Sequence, residues 1–290
     1  IRLLKGLGRQ LSVSIPSFLI GKIIESLNSI AGFEKVPLTS KYEIVRGRVR
    51  GKTLIVYSSG RIVYDESLKE VKNAIEKTLY EYYKEEGLTI GSDEAGKGEA
   101  LGPLVVAAVA LNPRQAAHLQ SIGIMDSKLI PERKISKLAN EVKNTSLAYS
   151  VLRIPPSAFN RMVEEGEYEN LNDILTIGHA KVLKKVISKI REESFKIVID
   201  KFDSSKEYKR LEMIEEYLNG MRVHAVTRGE VYPAVAAASI IAKDAYLKWV
   251  FSKVGEAAFN KIKEGDYSMI KEEEKHFYLK VSYLKNKIKS

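Results

Sequence analysis

The chain of 290 residues has no cysteine. That excludes disulfides and thiolate metal sites. It suits a reducing compartment, and a cytoplasmic location is the expectation. Long hydrophobic runs are also lacking. The longest apolar stretch near the start, Leu11 to Ile24, is broken by Ser12, Ser14, Pro16, Ser17 and Lys22. It is too short and too interrupted to span a bilayer, so no membrane association is expected. No small-residue cleavage site closes it, so a secretory signal is not expected. Internal repeats and low-complexity tracts are absent. The four histidines, His118, His179, His224 and His276, stand far apart. What is present is 44% hydrophobic and 29% charged, the balance of a globular protein long enough to bury its own core.

The net charge of +10 is uneven. Residues 1–80 hold 14 Lys and Arg against 7 Asp and Glu, a net of +7, while the other 210 hold 33 against 30, a net of +3. A basic module joined to a nearly neutral one points to a polyanion-binding attachment. The competing reading is a solvated basic surface of the thermophile kind.

Residues 1–85 read as strand, helix, three strands, helix. Leu11–Ser14 is the first strand. Pro16 opens a helix in which Phe18, Ile20, Ile23, Ile24 and Leu27 have helical spacing. Strands follow at Tyr42–Val49, Thr53–Tyr57 and Arg61–Tyr64, and Asp65 is placed to cap a second helix. Arg46, Arg48 and Arg50 alternate onto one strand face, where three like charges would welcome an anion. An ordinary wet sheet face is the plainer alternative. Glu85-Glu86-Gly87 marks the boundary.

From Leu88 strands and helices alternate. Strands are expected at Leu88–Asp93, Leu104–Leu111, Ser146–Ile154, Lys196–Asp200 and Arg222–Val226. Helices are expected at 171–192, Ser205–Leu218, from Pro233 through Val250, and over the last 35 residues. Two domains result, 1–85 and 86–290.

The chemistry concentrates at strand ends. In Gly91-Ser92-Asp93-Glu94-Ala95-Gly96-Lys97-Gly98 an apolar strand ends in adjacent carboxylates and enters a glycine-flanked turn. Buried acids are costly unless paired or metal-bound, so such a pair wants a cation. Gly96 and Gly98 would let backbone come close to a sugar-phosphate. Ile197-Val198-Ile199-Asp200 is a second buried strand ending in an acid. In α/β folds such ends gather at one sheet edge. Arg228-Gly229-Glu230 precedes a small-residue helix, with Glu230 favoured by the helix dipole. Each acid read alone could equally cap a helix or sit in a turn.

Four motifs occur in order: Asp93-Glu94 in its glycine-rich setting, Asp126-Ser127-Lys128-Leu129, Ile199-Asp200, and Ala236-Ala237-Ala238-Ser239-Ile240-Ile241-Ala242-Lys243. Together they resemble the type 2 ribonucleases H. Asn170-Leu171-Asn172 leading to His179 and Ala180, and Asp200-Lys201-Phe202, resemble the ribonuclease HIII branch. Tyr57-Ser58-Ser59-Gly60-Arg61-Ile62-Val63 resembles the TATA-binding-protein-like domain of that branch.

The resemblance implies an α/β fold, an RNase H-like mixed sheet flanked by helices, behind a small α+β TATA-binding-protein-like domain. It implies an endonuclease that hydrolyses the RNA strand of RNA–DNA hybrids with two Mg²⁺ or Mn²⁺ ions, leaving 5′-phosphate and 3′-hydroxyl ends. Carried residue by residue, the catalytic and metal-binding acids are Asp93, Glu94, Asp200 and Glu230, with Asp93 expected to bridge the ions. Counting back from the Ala-Ala-Ala-Ser helix without a gap lands on Gly229, and a one-residue deletion restores Glu230. Asp203 and Asp126 are fallback ligands. Gly96, Lys97, Gly98, Ser127 and Lys128 are expected at the substrate, with Arg46, Arg48 and Arg50 in the first domain. Cutting RNA and sparing DNA requires sensing the 2′-hydroxyl. No protein partner is implied, and a monomer is expected. The alternatives are ribonuclease HII-like cleavage at single embedded ribonucleotides and a non-catalytic nucleic-acid-binding protein.

Overall fold

The computed structural model describes residues 10–125, 130–166, 168, 170–202, 207–264 and 266–281. The chain divides into two compact units. One comprises residues 1–88 with 111–130, and the other 89–110 with 131–290. The segment 111–130 therefore packs with the first unit, although sequence order places it beyond the expected boundary.

In the first unit β1 (Gln10–Ser14), β2 (Glu34–Lys35), β3 (Glu43–Val49), β4 (Lys52–Tyr57) and β5 (Arg61–Asp65) form an antiparallel sheet in the order β1-β5-β4-β3-β2. Alternation sends Val45, Val49, Leu54, Val56, Ile62 and Tyr64 into the core. Helices α1 (Ile20–Asn28), α2 (Lys69–Glu86) and α3 (Pro113–Ser121) add Ile23, Leu27, Val71, Ile75, Leu79 and Leu119. Helix α3 has no strong apolar period. It is held by Pro113 in its first turn and by an Asn112–Gln115 capping box. Asp65 does not cap α2, which starts four residues on. Its carboxylate takes hydrogen bonds from Ser67 and Lys52 and shapes the turn.

The second unit holds a five-stranded mixed sheet in the order β10-β9-β6-β7-β8, from β6 (Thr89–Ala95), β7 (Leu104–Leu111), β8 (Ala148–Ile154), β9 (Lys196–Asp200) and β10 (Val223–Val226). Strands β6, β9 and β10 run parallel, and β7 and β8 antiparallel. All eight residues of β7 are buried, as expected of a central strand covered on both faces. The helices are α4 (Glu132–Thr145), α5 (Pro156–Glu164), α6 (Leu171–Ile187), α7 (Glu207–Tyr217), α8 (Pro233–Lys263) and α9 (Lys275–Tyr278). Helix α8 is broken at Gly255, whose φ is +79°. Among the described residues of the tail, 266–271 lie outside the helices. Beyond α9, Leu279 makes an antiparallel bridge to Leu101, and residues 282–290 lie outside those described.

Candidate active site

The site begins with a register. β6 and β9 are parallel with Ser92 beside Ile199. One step on, Asp93 and Asp200 lie side by side at the C-terminal ends of neighbouring strands, the edge where parallel sheets build sites. Pleating then separates the dipeptide. Gly91 faces α8, and a Cβ there would stand 2.2 Å from the Ala234–Val235 backbone. Asp93, two residues on, shares that face and hydrogen-bonds Ser239 of α8. Ser92 points to the other face, where its hydroxyl lies 2.7 Å from His179 Nδ1 of α6. Glu94 follows Ser92 there, with Oε2 3.4 Å from His179 Nε2 and Oε1 3.5 Å from Lys97 Nζ.

The small-residue segment is what permits this closeness. Pro233 occupies the first turn of α8, and residues 234–238 are all buried. Larger side chains there would hold the helix off Gly91 and carry Ser239 away from Asp93. Helix α6 is aimed by its own start. Asn170 and Asp173 form a capping box, and Arg210 bonds the Asp173 carboxylate and the Thr176 hydroxyl. His179 then projects at Ser92 and is wholly buried.

Electrostatics set the two acids apart. Burial raises the Asp93 carboxyl well above the ordinary aspartate value, and the charges of Glu94 and Asp200 push the same way. The Ser239 hydrogen bond and the Glu94 amide, 2.7 Å from Asp93 Oδ1, oppose the rise without cancelling it. Burial also pushes Glu94 upward, but His179 and Lys97 outweigh it and hold Glu94 below its usual value.

Asp200 takes a 2.7 Å hydrogen bond on Oδ1 from the amide of Gly229. Arg228, left-handed at φ +61°, turns the chain so that this amide faces the strand end. A Cβ at residue 229 would lie 3.0 Å from Asp200 Oδ1. The position that meets Asp200 is thus the glycine that ungapped counting reached. Glu230 follows it, half-buried, in the 3₁₀ turn Gly229–Val231.

Gly96 needs its glycine, because φ is +83° and a Cβ would strike the Pro103 carbonyl oxygen. Gly98 has open space instead. Lys97 sits between Glu94 and Phe202, donating to the Phe202 carbonyl with its ammonium over the ring. Ser127 and Lys128, and the fallback acids Asp126 and Asp203, lie outside the described residues. In the first unit, Arg46 is held by the buried Glu43 through two hydrogen bonds of 3.0 and 2.8 Å. Arg50 sits in the turn after β3, not in the strand, and pairs with Glu70 at 2.7 Å. Arg48 keeps its exposed place on the sheet face. The three arginines therefore do not form a row of uncompensated charge, because the fold supplies acids to two of them.

Sequence reasoning passed over Ser92, Ser239 and Phe202 as site residues. A hydroxyl inside an apolar strand, and the lone polar residue in an alanine run, were the available signals.

Oxygen donors of this kind suit a hard divalent cation. Glu94 Oε2 is buried without a hydrogen-bond partner among the described residues, and Asp93 sits beside two further acids. A cation would answer both. Among the described residues, no three His, Asp or Glu side chains stand as a finished ion cage.

The chain matches the family model for ribonuclease HII over residues 90–274. It is 30% identical over 208 residues to the ribonuclease HIII of Protochlamydia amoebophila, covering 68% of this chain and 67% of the relative. It is 30% identical over 224 residues to that of Oceanobacillus iheyensis, covering 71% and 72%. Among solved structures, Bst-RNase HIII in complex with Mn²⁺ aligns with a TM-score of 0.55 at 22% identity, over 94% of this chain and 96% of that one. Aquifex aeolicus RNase H3 aligns at 0.50 and 23%, over 94% and 99%. These two show a shared fold. With that fold, the family match and the curated relatives together, the chain belongs to the type 2 ribonucleases H, is most like ribonuclease HIII among them, and is a metal-dependent ribonuclease H acting on nucleic acid.

Proposed function

We propose that the protein hydrolyses the RNA strand of RNA–DNA hybrids at the edge of the second sheet, using two divalent cations and leaving 5′-phosphate and 3′-hydroxyl ends. The observation that carries this reading is the parallel register that sets Asp93 beside Asp200. Asp93, Glu94, Asp200 and Glu230 would hold the cations. A solved Bst-RNase HIII binds Mn²⁺, and Mn²⁺ or Mg²⁺ suits this donor set. When bound, such ions activate water and stabilise the leaving oxygen of an in-line displacement.

The chain's own part is positioning. Ser239 and the Glu94 amide orient Asp93, and the Gly229 amide holds one oxygen of Asp200. Asp93 must give up its proton to accept a cation, so its raised value makes capture pH-dependent. Gly98 is glycine where nothing in the fold crowds it, which supports a close approach by the sugar 2′-hydroxyl to the Gly96-Lys97-Gly98 backbone. Lys97 stands ready to move from Glu94 to a phosphate. Ser127, Lys128 and Arg48 would add substrate contacts.

Asp93→Asn is expected to abolish cleavage, by at least about 10³-fold, while hybrid binding persists. Near-normal cleavage by that variant would remove the mechanism. Comparing a four-ribonucleotide run with a single embedded ribonucleotide in DNA, each under Mg²⁺ or Mn²⁺ titration, tests the substrate. Preference for the single ribonucleotide would favour HII-like specificity.

A further inference from the structure

His179 is wholly buried and lies on the opposite sheet face from Asp93 and Asp200. Its surroundings assign its hydrogens. The Ser92 hydroxyl has one hydrogen, shared between the Ala107 carbonyl at 2.8 Å and His179 Nδ1 at 2.7 Å. Nδ1 is then the ring's acceptor, and the single ring hydrogen sits on Nε2. That leaves Nε2 facing Glu94 Oε2 at 3.4 Å, and among the described residues neither atom has any other partner. The ring cannot turn away, because it stacks on Phe202 with centroids 4.9 Å apart and planes 15° from parallel. Phe202 is in turn tied to Lys97, whose ammonium reaches Glu94 Oε1. The strand backbone, through Ala107 and Ser92, thus fixes an imidazole whose far edge fixes one carboxylate oxygen.

We infer that His179 is a positioning residue, which with Ser92 and Phe202 holds the Glu94 carboxylate in the orientation that captures a divalent cation. Groups that orient a ligand in this way commonly change metal affinity by about 10–100-fold when removed. The inference rests on Glu94 being a cation ligand, as proposed above. It concerns affinity and orientation, since His179 touches no reacting atom.

The test is Mn²⁺ binding to the substrate-free full chain, read by electron paramagnetic resonance and calorimetry, beside the Mn²⁺ dependence of cleavage. His179→Phe keeps an aromatic ring against Phe202 and loses both nitrogens. It is expected to weaken Mn²⁺ binding about 10-fold and to shift half-saturation by the same factor, with turnover at saturating Mn²⁺ changed far less. His179→Gln, whose amide nitrogen reaches near the position of Nε2, is expected to recover part of the affinity. If the Phe variant does not fold, Ser92→Ala decides, with an expected weakening of about 3-fold from the loosened ring. Unchanged Mn²⁺ affinity in a folded His179→Phe protein, or in Ser92→Ala if that variant must decide, would overturn the inference. So would a nitrogen hyperfine coupling on bound Mn²⁺ that vanishes with His179, because the ring would then be a ligand. Asp93→Asn separates the two layers. If it too leaves Mn²⁺ binding intact, the cation site itself is misplaced. If it alone abolishes binding, only the role of His179 falls.

Discussion

Asp93 is where local chemistry and global stability meet. Its ordinary value is 3.8, and burial with two neighbouring carboxylates places it well above that. Between those limits the folded chain holds a proton that the unfolded chain releases, so stability falls as pH climbs through the window. A cation that binds the ionised carboxylate reverses the loss. Thermal melts of the metal-free protein should therefore show a Tm that declines from about pH 4 upward. Added Mn²⁺ should raise Tm more at pH 7.5 than at pH 5. Asp93→Asn should abolish the decline, and an unchanged pH dependence in that variant would contradict the assignment. Glu94, its neighbour, is held low by His179 and Lys97 and stays ionised. Adjacent residues with like side chains are thus driven apart by the opposite sheet faces they occupy.

At the scale of elements, the contact of α8 with β6 governs the site. Gly91→Ala would press a methyl group to 2.2 Å from the Ala234–Val235 backbone. A backbone atom cannot rotate away, so the helix must shift. The expected cost is about 1–3 kcal/mol or more, with activity lost beyond the loss in stability because Ser239 leaves Asp93. Equal losses of Tm and activity in a proportion set by unfolding alone would refute the link. The tail acts on the loop that follows the glycine turn. Lys280 Nζ donates to the Gly102 carbonyl at 2.6 Å, and its backbone amide donates to Ala100 at 2.8 Å. Burial lowers its ammonium from 10.5 to about 7. Below pH 7 it is charged in both states. Between 7 and 10.5 only the unfolded chain keeps the proton, so this residue's contribution to stability rises with pH across that window. The stability difference between the parent and Lys280→Met should therefore move in favour of the parent from pH 7 to pH 10. A constant difference would show that Lys280 is not titrating there.

For the molecule as a whole, the uneven charge sets long-range behaviour. The first 80 residues carry most of the net charge of +10, and if they bind the substrate as proposed, a polyanion would be drawn to them before any specific contact forms. The individual arginines divide the labour. Arg48→Gln is expected to leave Tm unchanged and to reduce the slope of log affinity against log salt for an RNA–DNA hybrid by about 1. Arg46→Gln should act through stability, because it strips the buried Glu43 of its cation. Glu43 is held at about 2, chiefly by its hydrogen bonds to Arg46, and the Thr39 amide contributes as well. The stability this pair supplies is present above the ordinary glutamate value and is lost as pH falls toward 2. Filter binding and melting curves on the two variants would separate these roles. A fall in Tm with Arg48→Gln, or an unchanged Tm with Arg46→Gln, would reverse them.

Strand ends were legible in the residues because a central strand buried on both faces must be a short apolar run, and an acid at its close is conspicuous. Asp93 and Asp200 were visible for that reason. The two-residue β2 and helices α3, α4 and α5 were not anticipated. β2 and α3 are short, and α3 rests on Pro113 and its capping box. Helix α4, by contrast, carries a helical period in Ile135, Ala139 and Val142 that was open to reading. Arg50 and Asp65 were misplaced by a few residues at element ends, where a turn and a strand compete for the same atoms. Which acids stand together, that Gly229 meets Asp200, and that His179 lies against Glu94 were decided by tertiary structure alone. Strand composition favours burial, but strand partners and their register depend on which backbones pair across more than 100 residues of intervening chain, and helix packing against those strands sets the rest.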